Sequence, residues 1–273
     1  VIVTAGGMAS LFLGLLSLLD SGDEVLVSAP YFSNYSQMVS MCHGVTIPVD
    51  VYEKNDFVLT PEAVKKALTP RSKVLILNSP CNPTGGVITL DVLKEIAQLA
   101  AERDLFIISD EVYSHIIFDG EKYHSIASLP GMAERTLIVD SCSKTFAMTG
   151  FRVGFGVGPA HLISLMTKLT EGVYSAGVTF SQRAATEAFR SGLEYCEQMR
   201  QEYEKRRNYM FERINSMDGV SCLMPHGAFY VMMNISKLIG KSVEEIEITG
   251  SDSFAEAFLS IGKVAVVPCS GFD

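Results

Sequence analysis

Short runs of β-branched and other apolar residues alternate with longer segments of helical periodicity, and this alternation constrains the fold more than any other feature of the chain. The apolar runs fall at residues 24–27, 45–47, 73–77, 105–108, 136–139 and 152–157, with a further strand-like stretch at Val1, Ile2 and Val3. Successive positions are apolar, so both faces are buried, as in strands of a parallel sheet. Between the runs, residues 7–19, 34–43, 61–68 and 90–103 place apolar side chains at the spacing of amphipathic helices, the third with Pro61 in its first turn. Strand and helix in turn make βαβ units. The expected fold is therefore α/β, a mostly parallel sheet with helices on both faces.

From about residue 160 the rhythm changes. Residues 160–171, 178–190 and 193–217 read as helices, the last with a polar face, and short strands return at 220–223, 228–235 and 264–267 around a helix at 253–261. This predicts a large domain over residues 1–190 and part of a smaller α+β domain over 191–273. The basic cluster Lys205, Arg206 and Arg207 sits among acidic neighbours on the long helix, which predicts a solvated face.

Charge and length exclude several classes of function. Lys and Arg number 22 against 31 Asp and Glu, a formal charge of -9, which is the wrong sign for a surface that neutralises nucleic acid. The apolar run at 11–19 is broken by Gly14 and Ser17, whereas a membrane-spanning helix needs about 20 apolar residues. Six cysteines lie far apart without a CxxC pair, which fits reduced thiols in the cytoplasm. The chain opens inside a strand-like run and closes on Cys-Ser-Gly-Phe-Asp, and so reads as an internal piece of a longer protein.

In open α/β sheets ligands collect at the carboxyl ends of strands, so the residues just after each apolar run matter most. Gly6, Gly7 and Met8 follow the first run and open a helix, which offers free backbone N–H groups to a phosphate. Tyr31 follows the second, Asn82-Pro-Thr-Gly the run at 73–77, Asp110-Glu-Val-Tyr113 the run at 105–108, and Ser141-Cys-Ser143-Lys144 the run at 136–139. Singly, each has an ordinary structural reading as a turn, a helix cap or a core edge. Together they match one ligand, pyridoxal phosphate. A lysine amine forms a Schiff base with its aldehyde, and a carboxylate keeps its ring nitrogen protonated. A Tyr hydroxyl and an Asn amide bind its phenolic oxygen, an aromatic ring covers it, and an Arg, hydroxyls and a helix N-terminus hold its phosphate.

These motifs resemble the fold-type I pyridoxal-phosphate enzymes, specifically the class I/II aminotransferases similar to aspartate aminotransferase. The resemblance runs along the whole chain and is most specific in residues 141–154, where Arg152 stands eight positions after Lys144. It implies that Lys144 carries the cofactor, Asp110 faces the ring nitrogen, and Tyr113 and Asn82 bind the phenolic oxygen. Tyr31 would stack on the ring, and Ser141, Ser143, Arg152 and the backbone of Gly7 and Met8 would hold the phosphate. It implies the seven-stranded sheet of that fold, a homodimer, and transfer of an amino group from an L-amino acid to a 2-oxo acid in a ping-pong Schiff-base reaction. Lys144, Asp110 and Tyr113 would be the catalytic set. The family's arginine for the substrate α-carboxylate has no counterpart in this chain.

Other readings are open at this level. A carbon–sulfur lyase would use the same cradle, and so would the aminotransferase-like sensor domain of a transcription regulator. Ser141-Cys-Ser-Lys144 also spells the S-x-x-K of serine β-lactamases, but Asp110 is followed by Glu and no Lys-Thr-Gly occurs. Residues 154–159 resemble a dinucleotide glycine loop with Pro159 in place of its third glycine, which predicts strand packing. The five histidines lack metal-ligand spacing, so no metal is expected.

Overall fold

The structure is a computed structural model that describes residues 1–272. The apolar runs pair into one seven-stranded sheet: β1 (Ile2–Thr4), β2 (Glu24–Ala29), β3 (Val45–Asp50), β4 (Ser72–Asn78), β5 (Phe106–Asp110), β6 (Thr136–Ser141) and β7 (Gly154–Val157), in the order β1-β7-β6-β5-β4-β2-β3. The ladders from β6 through β5, β4 and β2 to β3 are parallel. β7 runs antiparallel to both β6 and β1. A parallel return requires a long crossover, and the only α-helix between β6 and β7 is the four-residue α5, so the chain turns back instead.

Alternation along each strand divides the core in two. Val25 and Val27 of β2 and Ile76 of β4 face one cluster, while Leu26, Leu75 and Leu77 face the other. The helices that close the faces are α1 (Gly7–Leu18), α2 (Asn34–Met41), α3 (Pro61–Ala67), α4 (Leu90–Glu102), α5 (Cys142–Thr145) and α6 (Ala160–Val173). Leu11, Met38 and Leu162 from α1, α2 and α6 fill the first cluster, and Val64, Leu93 and Ile96 from α3 and α4 fill the second. Side-chain caps start several of them. Thr60 Oγ1 accepts from Ala63 N before α3, and Thr89 Oγ1 from Val92 N before α4.

Two further helices follow, α7 (Thr179–Ser191) and α8 (Leu193–Asn215), then the pairs β8 (Ser221–Cys222) with β9 (Met233–Asn234) and β10 (Ser242–Val243) with β11 (Ile246–Glu247), and α9 (Ser251–Ser260). The sequence reading needs three corrections here. Of the strand expected over 228–235, only β9 pairs. Ala228, with φ of 58°, turns the chain so that its N–H donates to Ile116 O. The strand expected over 264–267 belongs to no ladder among the described residues, and Val264, Val266 and Val267 are exposed. An extended run becomes a strand only against a partner edge.

Arg207 is the third correction. It is buried rather than solvated. Its guanidinium binds both carboxylate oxygens of Asp119, at 2.6 and 2.8 Å, donates to Pro225 O at 2.9 Å, and lies 4.7 Å from the centre of the Phe118 ring. Those partners satisfy a buried cation in the bidentate geometry that arginine favours. They also fasten α8 to the segments 118–119 and 225.

Candidate active site

The carboxyl ends of β1, β4, β5 and β6 lie on one edge of the sheet, and a cavity of about 210 Å³ opens there. Gly7, Met8, Asn82, Asp110, Tyr113, Ser141, Ser143, Lys144 and Arg152, all read from the sequence, line it. Tyr31 does not. It is buried in the core against α1 and α2, and the neighbouring Phe32 lines the cavity instead. Of the two aromatics, Phe32 is thus the one placed at the cavity wall.

One end of the cavity is built to hold an anion. Gly154 of β7 lies between Thr4 of β1 and Ser141 of β6, and a Cβ there would collide with the backbone of Gly6 and Gly7. Gly6 has φ of 87° and faces the Arg152 guanidinium. Only glycine fits both places, and the result brings the N-terminus of the twelve-residue α1 close to Arg152. Arg152 itself is left-handed, with φ of 54°, and donates to Thr149 O at 3.0 Å and Ala5 O at 3.4 Å. Ser141 and Ser143 add hydroxyls from the start of α5.

Asp110 is buried at another wall. Tyr35 Oη–H donates to its Oδ2 at 2.6 Å and Val112 N–H to its Oδ1 at 3.3 Å. Burial pushes its pKa up to about 6, with Glu111 adding to the rise, while the Tyr35 and Val112 bonds and the positive charge of Lys144 pull it back. Asn78, at the end of β4, donates to Asp110 O at 3.3 Å and accepts from Asn82 N at 2.8 Å, so it joins the Asn82 turn to β5. The carboxamide oxygen of Asn82 is buried without a hydrogen-bond partner. That oxygen is an acceptor left over inside the protein, and the NH2 of the same carboxamide is the donor that a phenolic oxygen needs.

Lys144 completes the arrangement from α5. Its ammonium makes no hydrogen bond or ion pair among the described residues and lies 5.1 and 5.7 Å from the ring centres of Phe229 and Tyr113. Burial lowers its pKa, Asp110 opposes the fall and Arg152 adds to it. The cavity thus combines an anion cradle, a buried carboxylate, an unmatched amide and an unpaired amine. Those are the groups that a phosphorylated pyridinium aldehyde needs, and they fit it. Sequence reasoning had no role for Tyr35 or Tyr230, which also line the cavity. Among the described residues no group of three His, Cys, Asp or Glu side chains could hold a metal, and no helix is long and apolar enough to cross a membrane.

Next to Ser141, Asp140 is half-buried and accepts from Ser141 N at 2.6 Å. Burial, followed by the nearby charges of Asp110 and Glu111, pushes its pKa up to about 7, with the Ser141 bond opposing. The folded protein holds a proton there that an unfolded carboxyl, with its ordinary value of 3.8, releases. Stability is thus lost as pH rises between those values and stays lower above them. Asp140→Asn keeps the acceptor for Ser141 N without the charge. It is expected to match the parent at pH 4 and to exceed it at pH 8 by about 2–4 kcal/mol in denaturant unfolding of the cofactor-free protein. Equal stability at both pH values would show that the carboxylate finds its charge solvated.

Comparison with known proteins agrees with this geometry. The family model for aminotransferase class I and II matches residues 1–273. An aspartate aminotransferase of Pyrococcus abyssi is 43% identical over 274 residues, covering all of this chain and 68% of the relative. An aromatic-amino-acid aminotransferase of Thermococcus litoralis is 41% identical with the same coverage. The crystal structure of an aspartate aminotransferase from Rhizobium meliloti superposes with a TM-score of 0.95 at 32% identity, over 99% of this chain and 68% of that one. The chain belongs to the class I and II aminotransferases, enzymes that work with pyridoxal phosphate.

Proposed function

We propose that this chain moves an amino group from L-aspartate, or a donor close to it, to a 2-oxo acid, with Lys144 and Asp110 as its principal chemical groups. The observation that carries the reading is the presence of both in one cavity, beside an anion cradle. When bound, pyridoxal phosphate supplies a cationic ring that accepts the electron pair left on the substrate Cα.

The chain's own residues do the rest. Arg152, the hydroxyls of Ser141 and Ser143 and the backbone N–H groups of Gly7 and Met8 hold the phosphate. Phe32 supplies an aromatic wall. Asp110, kept available as an anion by Tyr35 and Val112, holds the proton on the ring nitrogen. Tyr113 and Asn82 serve the phenolic oxygen. Lys144 Nζ would hold the cofactor and, as a free amine, would move the proton at the substrate Cα; its lowered pKa favours the neutral amine that this role needs. Arg152 is the only arginine lining the cavity among the described residues, so the partner of the substrate α-carboxylate belongs outside them.

Residues 1–190 act as the cofactor-binding domain and 191–273 as part of a smaller one joined through α8. A homodimer is supported by the exposed apolar side chains of Val173, Val178 and Phe180, the last 73% exposed. A reducing cytoplasmic setting is supported by buried thiols at Cys42, Cys81, Cys142, Cys196 and Cys222. Aspartate as donor rests on the P. abyssi and R. meliloti relatives, and the T. litoralis relative makes aromatic amino acids the competing class.

The test is to titrate the cofactor-loaded protein with single amino acids while following its visible spectrum. Conversion to the amine form by aspartate at micromolar to millimolar concentrations, and slower conversion by phenylalanine, is the expected result. Conversion by phenylalanine alone would move the donor to the aromatic class, and elimination products in place of a 2-oxo acid would overturn amino transfer.

A further inference from the structure

Tyr230 reaches the cavity from the C-terminal part of the chain. Its hydroxyl lies 2.6 Å from that of Tyr113, and the two rings meet edge to face with centres 5.7 Å apart. Resting on the reading of Tyr113 as a partner of the cofactor's phenolic oxygen, we propose that Tyr230 is a positioning residue that donates its proton to the Tyr113 oxygen, aims the Tyr113 proton at the cofactor, and through Tyr113 sets the ionisation of the lysine-linked cofactor.

The direction of the bond follows from proton counting. A phenol has one O–H, so Tyr113 can serve either Tyr230 or the cofactor as donor. With Tyr230 as the donor, the Tyr113 proton is free, and a chain of two bonds in the same sense strengthens the second. Burial raises the pKa of both phenols, so both keep their protons across the working pH range. The charged and titratable groups facing the pair are Asp110 from β5, Cys81 from the Asn82 turn and Lys144 from α5.

The anchoring of Tyr230 ties it to both partners of the phenolic oxygen. His226 N and Gly227 N both donate to Gly85 O at 3.0 Å, in the turn that follows Asn82. Ala228 N donates to Ile116 O at 2.8 Å, and Phe118 N to His226 O at 3.0 Å, in the segment that follows Tyr113. A Cβ at Gly227 would collide with the Pro80 ring. The segment is therefore wedged between the Asn82 turn and the Tyr113 segment, with Arg207 holding its start at Pro225. Phe229 meets the Tyr113 ring edge to face and the Tyr203 ring at a tilt, so the segment is packed against both.

The test is a double-mutant cycle read spectroscopically. The visible absorbance of the cofactor-loaded protein is titrated with pH in the parent, Tyr230→Phe, Tyr113→Phe and the double variant. Donation to the phenolic oxygen draws charge away from the atom that would otherwise hold the neighbouring nitrogen's proton, so its loss raises the midpoint. Tyr113→Phe is expected to raise it most, and Tyr230→Phe by about 0.4–1 pH unit, the size of one hydrogen bond. The double variant should match Tyr113→Phe alone. An unmoved midpoint in Tyr230→Phe, or shifts that add in the double variant, would overturn the inference while leaving the role of Tyr113 intact. A Tyr113→Phe midpoint equal to the parent's would remove the assignment of Tyr113, and the inference with it. Phenylalanine keeps both rings in place, and cofactor affinity measured by fluorescence quenching separates a lost fold from a lost hydroxyl.

Discussion

Lys144→Ala is expected to remove the visible absorption of the lysine-linked cofactor and to reduce turnover below detection. Lysine supplies the only primary amine lining the cavity among the described residues, since the other cation there is Arg152. Arginine keeps its proton at any working pH and cannot replace an amine. Loss of a positioned proton carrier alone costs about 10²–10⁴ in rate, and the lost covalent link to the cofactor adds to that. Stability should hold, because the Lys144 ammonium makes no hydrogen bond or ion pair and is partly desolvated. Cofactor binding should also persist in weakened form through Arg152, Ser141 and the start of α1. A cofactor that still shows the lysine-linked spectrum in this variant, or a variant with parent turnover, would move the chemistry to another residue.

What the sequence made legible, and what it hid, follows from how each residue is placed. Asp110 and Ser141 end their strands, and Asn82 and Lys144 stand a few residues beyond strands whose ends share the same sheet edge, so strand recognition alone brings them together. Tyr31 and Phe32 are adjacent aromatics beyond β2. Which of them turns toward the cavity depends on the path from β2 into α2, and local pattern carries no record of that path. Tyr35 falls on the buried face of α2 and reads as core by periodicity. It is core in position, yet its hydroxyl is bonded to Asp110, 75 residues away. Arg207 looked solvated because its helical neighbours are acidic, whereas its partners Asp119 and Pro225 lie 88 and 18 residues away. The reversal of β7 was hidden for a related reason: strand direction depends on the length of the connection, and α5 is too short to show in a periodicity. Local regularity thus disclosed the scaffold and the strand-end groups. Contacts across the sequence decided the rest.

Asp110→Ala is expected to have the next largest effect on catalysis, about 10²–10⁴-fold in turnover, corresponding to the roughly 3–5 kcal/mol lost when a buried charge loses its partner. The carboxylate is buried and held by Tyr35 and Val112 in one orientation, and the neighbouring Glu111 is bonded to Ser109 and Ser125, so the variant leaves no anion at the same point. Its pH behaviour supplies an independent check on the cofactor-free protein. Burial pushes Asp110 up to about 6 from an ordinary 3.8, so the folded state holds the proton more tightly than the unfolded chain. Stability therefore falls as pH rises between those values, and replacing the acid should flatten that part of the profile. Binding of a cationic ring reverses the balance, because the ion pair favours the charged carboxylate, so cofactor should stabilise the parent more than the Ala variant above pH 6. Tyr35→Phe offers a graded version of the same experiment. It removes a donor to the charged form, pushes Asp110 further up, and should shift the acid limb of the turnover profile to higher pH while keeping part of the activity. If Asp110→Ala turned over substrate at the parent rate, or if Tyr35→Phe moved the acid limb downwards, the ring nitrogen would not draw its charge from this carboxylate.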